Sequence, residues 1–297
     1  MLYRSFLIFA SLAAFAQPPI RVDSTLVVVP VTVTDGANRY VLGLEKQNFQ
    51  VFEDSVKQDI KQFSGEDAPL SVGFIVDTSA SIGGKLDICR AAVAQFLKTM
   101  NAADEAFLVE FNDHAELTVA FTRDTSRIVD KLTRATSGGT TALFDALYAG
   151  LHEMKKASNP RKTLLLISDG GDNSSVFSAK QILNFAREAD VQIYAMGVFE
   201  AFPVFRLSVA ESAGPHLLSE ITEQTGGRAF AAPNLDALPG IAARIGIELR
   251  NQYVLAYSPA NKDKDGKYRR LDVKVAQPEG ISGLKARWRQ GYYAPAE

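Results

Sequence analysis

Cysteine, tryptophan and histidine are scarce in this 297-residue chain, which has one cysteine (Cys89), one tryptophan and three histidines. A lone cysteine excludes an internal disulfide, so stability must come from the core, which a chain of this length can supply. His114, His152 and His216 are scattered without metal-ligand spacing, which speaks against a zinc-type site. An excess of positive charge is also missing. Thirty-two Lys and Arg face 34 Asp and Glu, a net charge of −2, so there is no basic footprint for nucleic acid. No apolar run approaches the roughly 20 residues needed to span a bilayer. Neither a Gly-x-Ser-x-Gly elbow nor a Gly-x-Gly-x-x-Gly loop occurs.

The first residues carry Arg4, the apolar run Phe6 to Phe15 and the exit Ala14-Phe15-Ala16 before Gln17-Pro18-Pro19. This order reads as a secretory signal peptide over residues 1–16, and predicts an exported protein that is periplasmic, on the cell surface or secreted, with no membrane span in the mature chain. Cys89 falls on the apolar stripe of a predicted helix and reads as a small buried residue.

Beyond the signal the pattern changes twice. Residues 17–68 are rich in β-branched positions, with strands expected at Ser24 to Thr34, Phe49 to Asp54 and Lys57 to Phe63. From 69 to 250 strands and helices alternate. Leu70 to Val76 and Thr163 to Ile167 are continuous apolar runs of the kind buried parallel strands show, and Gly84 to Met100 carries a helical stripe. Residues 251–297 return to β character, with Gln252 to Tyr257, Tyr268 to Val275 and Leu284 to Arg289 as strands and Asp265-Gly266 as a hairpin turn between the first two. The expected fold is therefore α/β: a Rossmann-like, doubly wound, mostly parallel sheet. Neither β-rich end can bury a core alone, so the two are expected to pair into one accessory β-sandwich-like domain.

Ligands of such sheets sit at the carboxyl ends of the strands, and Asp77 and Asp169 both fall at such ends. Asp77-Thr78-Ser79-Ala80-Ser81 sets a carboxylate and two hydroxyls two residues apart. Gly138-Gly139-Thr140-Thr141 adds a hydroxyl on a glycine-permitted loop, and Ser168-Asp169-Gly170 adds a second carboxylate. Hard cations such as Mg²⁺ take oxygen donors of this kind. Each segment alone is a weak signal and reads more readily as a helix cap or a turn. Together, in order at one sheet edge, they point to a metal seat.

DTSAS, GGTTALFDAL and LLLISDG resemble, in order and spacing, the metal-ion-dependent adhesion site of von Willebrand factor type A domains. The β-rich flanks, VVVPVTVTDGANRYVLGLEKQNFQVFEDSVKQDIKQFSGEDAPLSV and LRNQYVLAYSP with DGKYRRLDVKV and LKARWRQGYYAP, resemble an exported bacterial group related to them. The resemblance implies metal ligation by Asp77, Ser79, Ser81, Thr141 and Asp169, with Thr140 as the alternative threonine. It implies Mg²⁺, with Mn²⁺ or Ca²⁺ possible, and a partner protein that presents an Asp or Glu carboxylate. It also implies an open and a closed state coupled to a shift of the last helix near Leu235 to Leu249. Direct ligation by the three hydroxyls would leave the cation electrophilic and receptive to an outside carboxylate.

The expected role is adhesion or protein binding, not catalysis. The rival readings are a structural or assembly factor with a fold-stabilising metal, and a metal-dependent hydrolase, for which no general base is identifiable. Asn261 to Gly266 with Asp272 has calcium-loop spacing, but five surrounding cations and strand-like flanks favour a plain turn. Phe199 to Pro203 reads as a packed insertion or as a recognition loop.

Overall fold

The computed structural model describes residues 26–65, 67–198, 218–232, 234–278 and 283–296. Residues 1–16, expected as a signal peptide, and the aromatic stretch Phe199 to Pro203 lie outside the described residues. The amino-terminal strands are β1 (Val27–Thr34), β2 (Phe49–Glu53), β3 (Val56–Gln58) and β4 (Ile60–Ser64). Next come β5 (Leu70–Asp77), α1 (Leu86–Leu97), β6 (Glu105–Phe111), β7 (Ala115–Thr122), α2 (Ser126–Arg134) and α3 (Leu143–Glu153). Then follow β8 (Arg161–Ser168), α4 (Ala179–Glu188), β9 (Gln192–Gly197), α5 (helical over 218–224), β10 (Ala229–Ala231) and α6 (Leu238–Arg250). The chain ends with β11 (Tyr253–Tyr257), β12 (Tyr268–Val275), β13 (Lys285–Arg287) and β14 (Gly291–Tyr293).

All eight residues of β5 are buried, which explains its unbroken apolar reading. It sits inside a six-stranded sheet of order β10-β9-β8-β5-β6-β7, parallel except for β7. Neighbouring side chains leave β5 on opposite faces. Phe74 and Val76 pack under α1, α2 and α6, while Ile75 packs under α3, α4 and α5. The doubly wound expectation is met. The close fit of α6 on α1 depends on Gly246, where an added Cβ would overlap the Thr99 side chain, its Cβ standing 2.8 Å away.

The two β-rich ends form two antiparallel sheets, β13-β1-β11-β4 and β14-β12-β2-β3, each built from strands of both ends. Their inner faces share one core that includes Val29, Val31, Val51, Leu255 and Leu271. Glu53 on β2 is buried there and accepts hydrogen bonds from Tyr257 (2.6 Å) and Tyr292 (2.7 Å), joining the two sheets. Burial and this shared carboxylate hold both phenols well above their usual pKa.

Two sequence expectations change. Gly266 takes φ +64, but Asp265-Gly266 joins no hairpin: Asp265 bridges to Ala296 instead. Strand β11 already has β1 and β4 on its two edges, so β12 crosses to the other sheet and pairs with β2 and β14. The single strand expected over Lys57 to Phe63 is two: β3 pairs with β2, and β4 pairs with β11, so the chain changes sheets at Asp59. Among the described residues no helix is long and apolar enough to cross a membrane.

Candidate metal centre

The register of the parallel sheet builds the site. Val76 lies opposite Ile167, which sets Asp77 beside Ser168 at the carboxyl ends of β5 and β8. Both residues are fully buried. Ser168 donates to Asp77 Oδ2 at 2.7 Å, and the Ser79 N–H donates to Asp77 Oδ1 at 2.9 Å. The carboxylate is thus clamped at both oxygens. Burial pushes its pKa up to about 6, the negative charge of Asp169 adds in the same direction, and the Ser79 and Ser168 hydrogen bonds oppose them.

The chain then turns outward. Ser79 is buried and Ser81 is exposed, yet their Oγ atoms stand 3.0 Å apart. The second loop is laced onto the first by Gly138 N–H to Thr78 O (2.9 Å) and Ala80 N–H to Gly139 O (3.1 Å). Gly139 takes φ +79, and a Cβ there would lie 2.5 Å from the Asp113 carboxylate. Only glycine lets Asp113 reach past it to accept from the Thr140 hydroxyl (2.7 Å) and N–H. Thr140 is therefore exposed and engaged, whereas Thr141 is buried. The Thr141 N–H donates to Asn173 Oδ1 at 2.8 Å, and its carbonyl accepts from the Asn173 N–H at 2.9 Å. The third loop leaves β8 through half-buried Asp169, whose Oδ1 accepts from the Gly171 N–H at 3.1 Å.

The three loops expected to meet do lie together at one sheet edge. Asp77, Ser79 and Ser81 form one run, and the field of Asp169 reaches Asp77. The second loop, which carries Thr141, is hydrogen-bonded to the first through Thr78 and Ala80. Three further residues help to fix the arrangement: Ser168, Asn173 and Asp113. Ser168 stood in the third motif, but only its neighbour's carboxylate was read as chemistry. Asn173 and Asp113 belong to no motif, and only the folded loops bring them to the threonines.

Among the described residues no three His, Cys, Asp or Glu side chains gather into a group that could hold a metal. A cation at this edge would have to use hydroxyl oxygens as well as the two carboxylates. The donors fit a hard ion. Adjacent ligands of an octahedral ion of Mg²⁺ size stand roughly 2.9 Å apart, and the two serine oxygens are 3.0 Å apart.

The von Willebrand factor type A domain profile matches residues 71–244, more than half of the chain. The chain belongs to the von Willebrand factor type A domain family. It is similar to an uncharacterized protein of Borreliella burgdorferi, 26% identical over 181 residues that cover 54% of this chain and 53% of that protein. The chain thus spans about half the length of the curated relative it matches. Among solved structures, a von Willebrand factor type A protein from Catenulispora acidiphila superposes with a TM-score of 0.52 at 11% identity, over 91% of this chain and 75% of that one. Proximal thread matrix protein 1 from the mussel byssus gives 0.52 at 18% identity, over 67% of this chain and 51% of that one. A mutant of the PilB minor pilin from Streptococcus sanguinis gives 0.51 at 14% identity, over 63% of each chain. At these identities the likenesses are of fold. The Catenulispora match extends that likeness from the type A domain into the β-sheets around it.

Proposed function

We propose that the protein binds partner proteins through a divalent cation held among Asp77, Ser79, Ser81, Thr141 and Asp169, with Mg²⁺ the ion of choice and Mn²⁺ or Ca²⁺ as substitutes. The observation that carries this reading is the pair of serine hydroxyls 3.0 Å apart above the clamped Asp77 carboxylate. Bound there, the cation supplies an electrophilic seat for a carboxylate oxygen of a partner's Asp or Glu side chain.

Asp77, locked by Ser168 and the Ser79 N–H, offers charge from a fixed position. Ser79, Ser81 and Thr141 offer neutral oxygens. Thr141 is favoured over Thr140 because Asp113 already occupies the Thr140 hydroxyl. Val176, on the same loop as Asp169, is 89% exposed. Its N–H donates to Asp145 at 3.0 Å, which holds the loop against α3.

A binding role is favoured over a fold-stabilising one because protein hydrogen bonds already tie the three loops together. Export through residues 1–16 belongs to the same reading, as does membership of the exported bacterial group.

Calorimetric titration with MgCl₂, MnCl₂ and CaCl₂ tests the seat: wild type binds one ion and Asp77→Ala does not. Bead-bound chain should then capture proteins from the medium of the exporting cell, reversibly with EDTA and not with Asp77→Ala. Capture that ignores both EDTA and the substitution sinks the partner claim. A large loss of thermal stability in EDTA would move the reading to a structural metal. Ester or phosphate turnover abolished by Asp77→Ala would move it to a hydrolase.

A further inference from the structure

A second site-like feature lies away from the metal loops, in the seam between the type A domain and the sandwich. There Arg228 just ahead of β10, α6, the end of β1 with the loop after it, and β13 line an open cleft of about 350 Å³. Four cationic side chains line it, Arg228, Arg244, Lys285 and Arg287, and among its described lining residues the only carboxylate is Glu248. This concentration of positive charge sits on a chain whose net charge is −2.

Glu248 cannot balance it. The carboxylate is 2% exposed and already accepts from Tyr194 (3.0 Å), Arg287 (3.2 Å), Tyr40 (3.4 Å) and Thr32 (3.5 Å). Arg244 stands one turn away from it on α6, yet Glu248 pairs with Arg287 of β13. Among the described residues, Arg228, Arg244 and Lys285 form no ion pair with any carboxylate. Arg287 keeps a buried Nε with no hydrogen-bond partner.

The cations are also held in place. The Phe230 ring carries the Arg228 guanidinium at 4.8 Å and the Arg244 guanidinium at 6.0 Å from its centroid. Two like charges on one ring repel, and exposed guanidiniums left to themselves would spread into water. Planar guanidinium forks gathered at one cleft are suited to oxyanions, which accept paired hydrogen bonds from them. Lys285 and Arg287 alternate along β13, opposite Thr34 and Thr32 of β1, so the sandwich supplies the other wall. The volume is at the small end for ligand pockets.

We propose that this cleft binds a small multivalent oxyanion, with phosphate or carboxylate oxygens, between the forks of Arg228 and Arg244 and the Lys285 ammonium. The ligand would offset the unpaired charge of Arg228, Arg244 and Lys285. Because Arg228 and Arg244 belong to the type A domain and Lys285 to the sandwich, an occupant would bridge the two.

The test is calorimetric titration of the full chain with pyrophosphate and, separately, with citrate. Metal-free buffer at constant ionic strength is used, with potassium chloride as the control. One-to-one binding of either probe is expected, weakened at least ~10-fold in Arg228→Gln and in Arg244→Gln by loss of a charge-assisted hydrogen bond. Lys285→Gln serves as a further variant if either of these fails to give the wild-type near-ultraviolet spectrum. Binding should be unchanged in Asp77→Ala, which separates this cleft from the metal seat. Pyrophosphate alone would identify a phosphate ligand, citrate alone a polycarboxylate, and both a general oxyanion site. No binding by either probe up to roughly 10 mM, a value weaker than useful affinity, overturns the proposal. So does affinity that survives the arginine and lysine substitutions.

Discussion

Ser168 Oγ donates a 2.7 Å hydrogen bond to Asp77 Oδ2, tying the carboxyl end of β8 to that of β5 beneath the candidate metal seat. The bond is fully buried, and Ser168 Oγ also accepts from the Gly170 N–H at 3.0 Å. One side chain therefore sets both the Asp77 carboxylate and the start of the loop that carries Asp169.

Ser168→Ala should for that reason cost more than a surface serine would. Loss of the donor leaves a buried carboxylate oxygen and a buried N–H short of a partner, worth about 1–3 kcal/mol. Urea unfolding of the metal-free chain should show that loss, and Mg²⁺ affinity should fall with it. An unchanged unfolding midpoint would mean that the bond contributes nothing.

The Asp77 carboxyl, raised to about 6 from an ordinary 3.8, makes stability depend on pH in a defined direction. Between those two values the folded chain holds a proton that the unfolded chain has released, so stability falls as pH rises through the window. The full effect at neutral pH is on the order of 3 kcal/mol. Denaturant titrations without metal, run at intervals from pH 4 to pH 7, should show this decline. Asp77→Asn, which has no proton to lose, should flatten that part of the curve.

The two neighbouring threonines should separate cleanly. Thr141→Ala should weaken Mg²⁺ binding by ~10-fold or more, whereas Thr140→Ala loses only its link to Asp113 and should have a smaller effect. Calorimetry on the pair decides the ligand, and a larger loss in Thr140→Ala would reverse the assignment.

Gly246→Ala pits two local effects against each other. Helix propensity alone would stabilise α6 by roughly 1 kcal/mol. The new Cβ would overlap Thr99 on the segment after α1, and overpacking of this kind costs about 1–3 kcal/mol. Net destabilisation is expected in thermal or urea unfolding. A more stable variant would show that Thr99 yields easily.

Much of this architecture was open to reading before any coordinate. Strands β5 and β8 announced themselves because a strand covered on both faces must be apolar throughout, and the residues that follow such a run must lie at the sheet's carboxyl edge. The accessory sandwich followed from amount: two short β-rich ends had too little apolar surface to stand alone. The Asp77, Ser79 and Ser81 run was visible because its residues are consecutive.

Other features depended on which distant segments meet. Nothing local to Tyr253–Tyr257 reveals that β1 and β4 take both its edges and send β12 to the other sheet. Nothing in the loop itself reveals that Asp113, 27 residues before Thr140, reaches the Thr140 hydroxyl past Gly139. The cationic cleft is assembled from residues near 34–40, 228–248 and 285–287, none of which forms a motif alone. Periodicity and motif spacing report what a segment needs from its surroundings, so they marked the elements and the candidate metal-loop run. Strand edges and side-chain partners are shared among segments far apart in the chain, and packing alone assigned them.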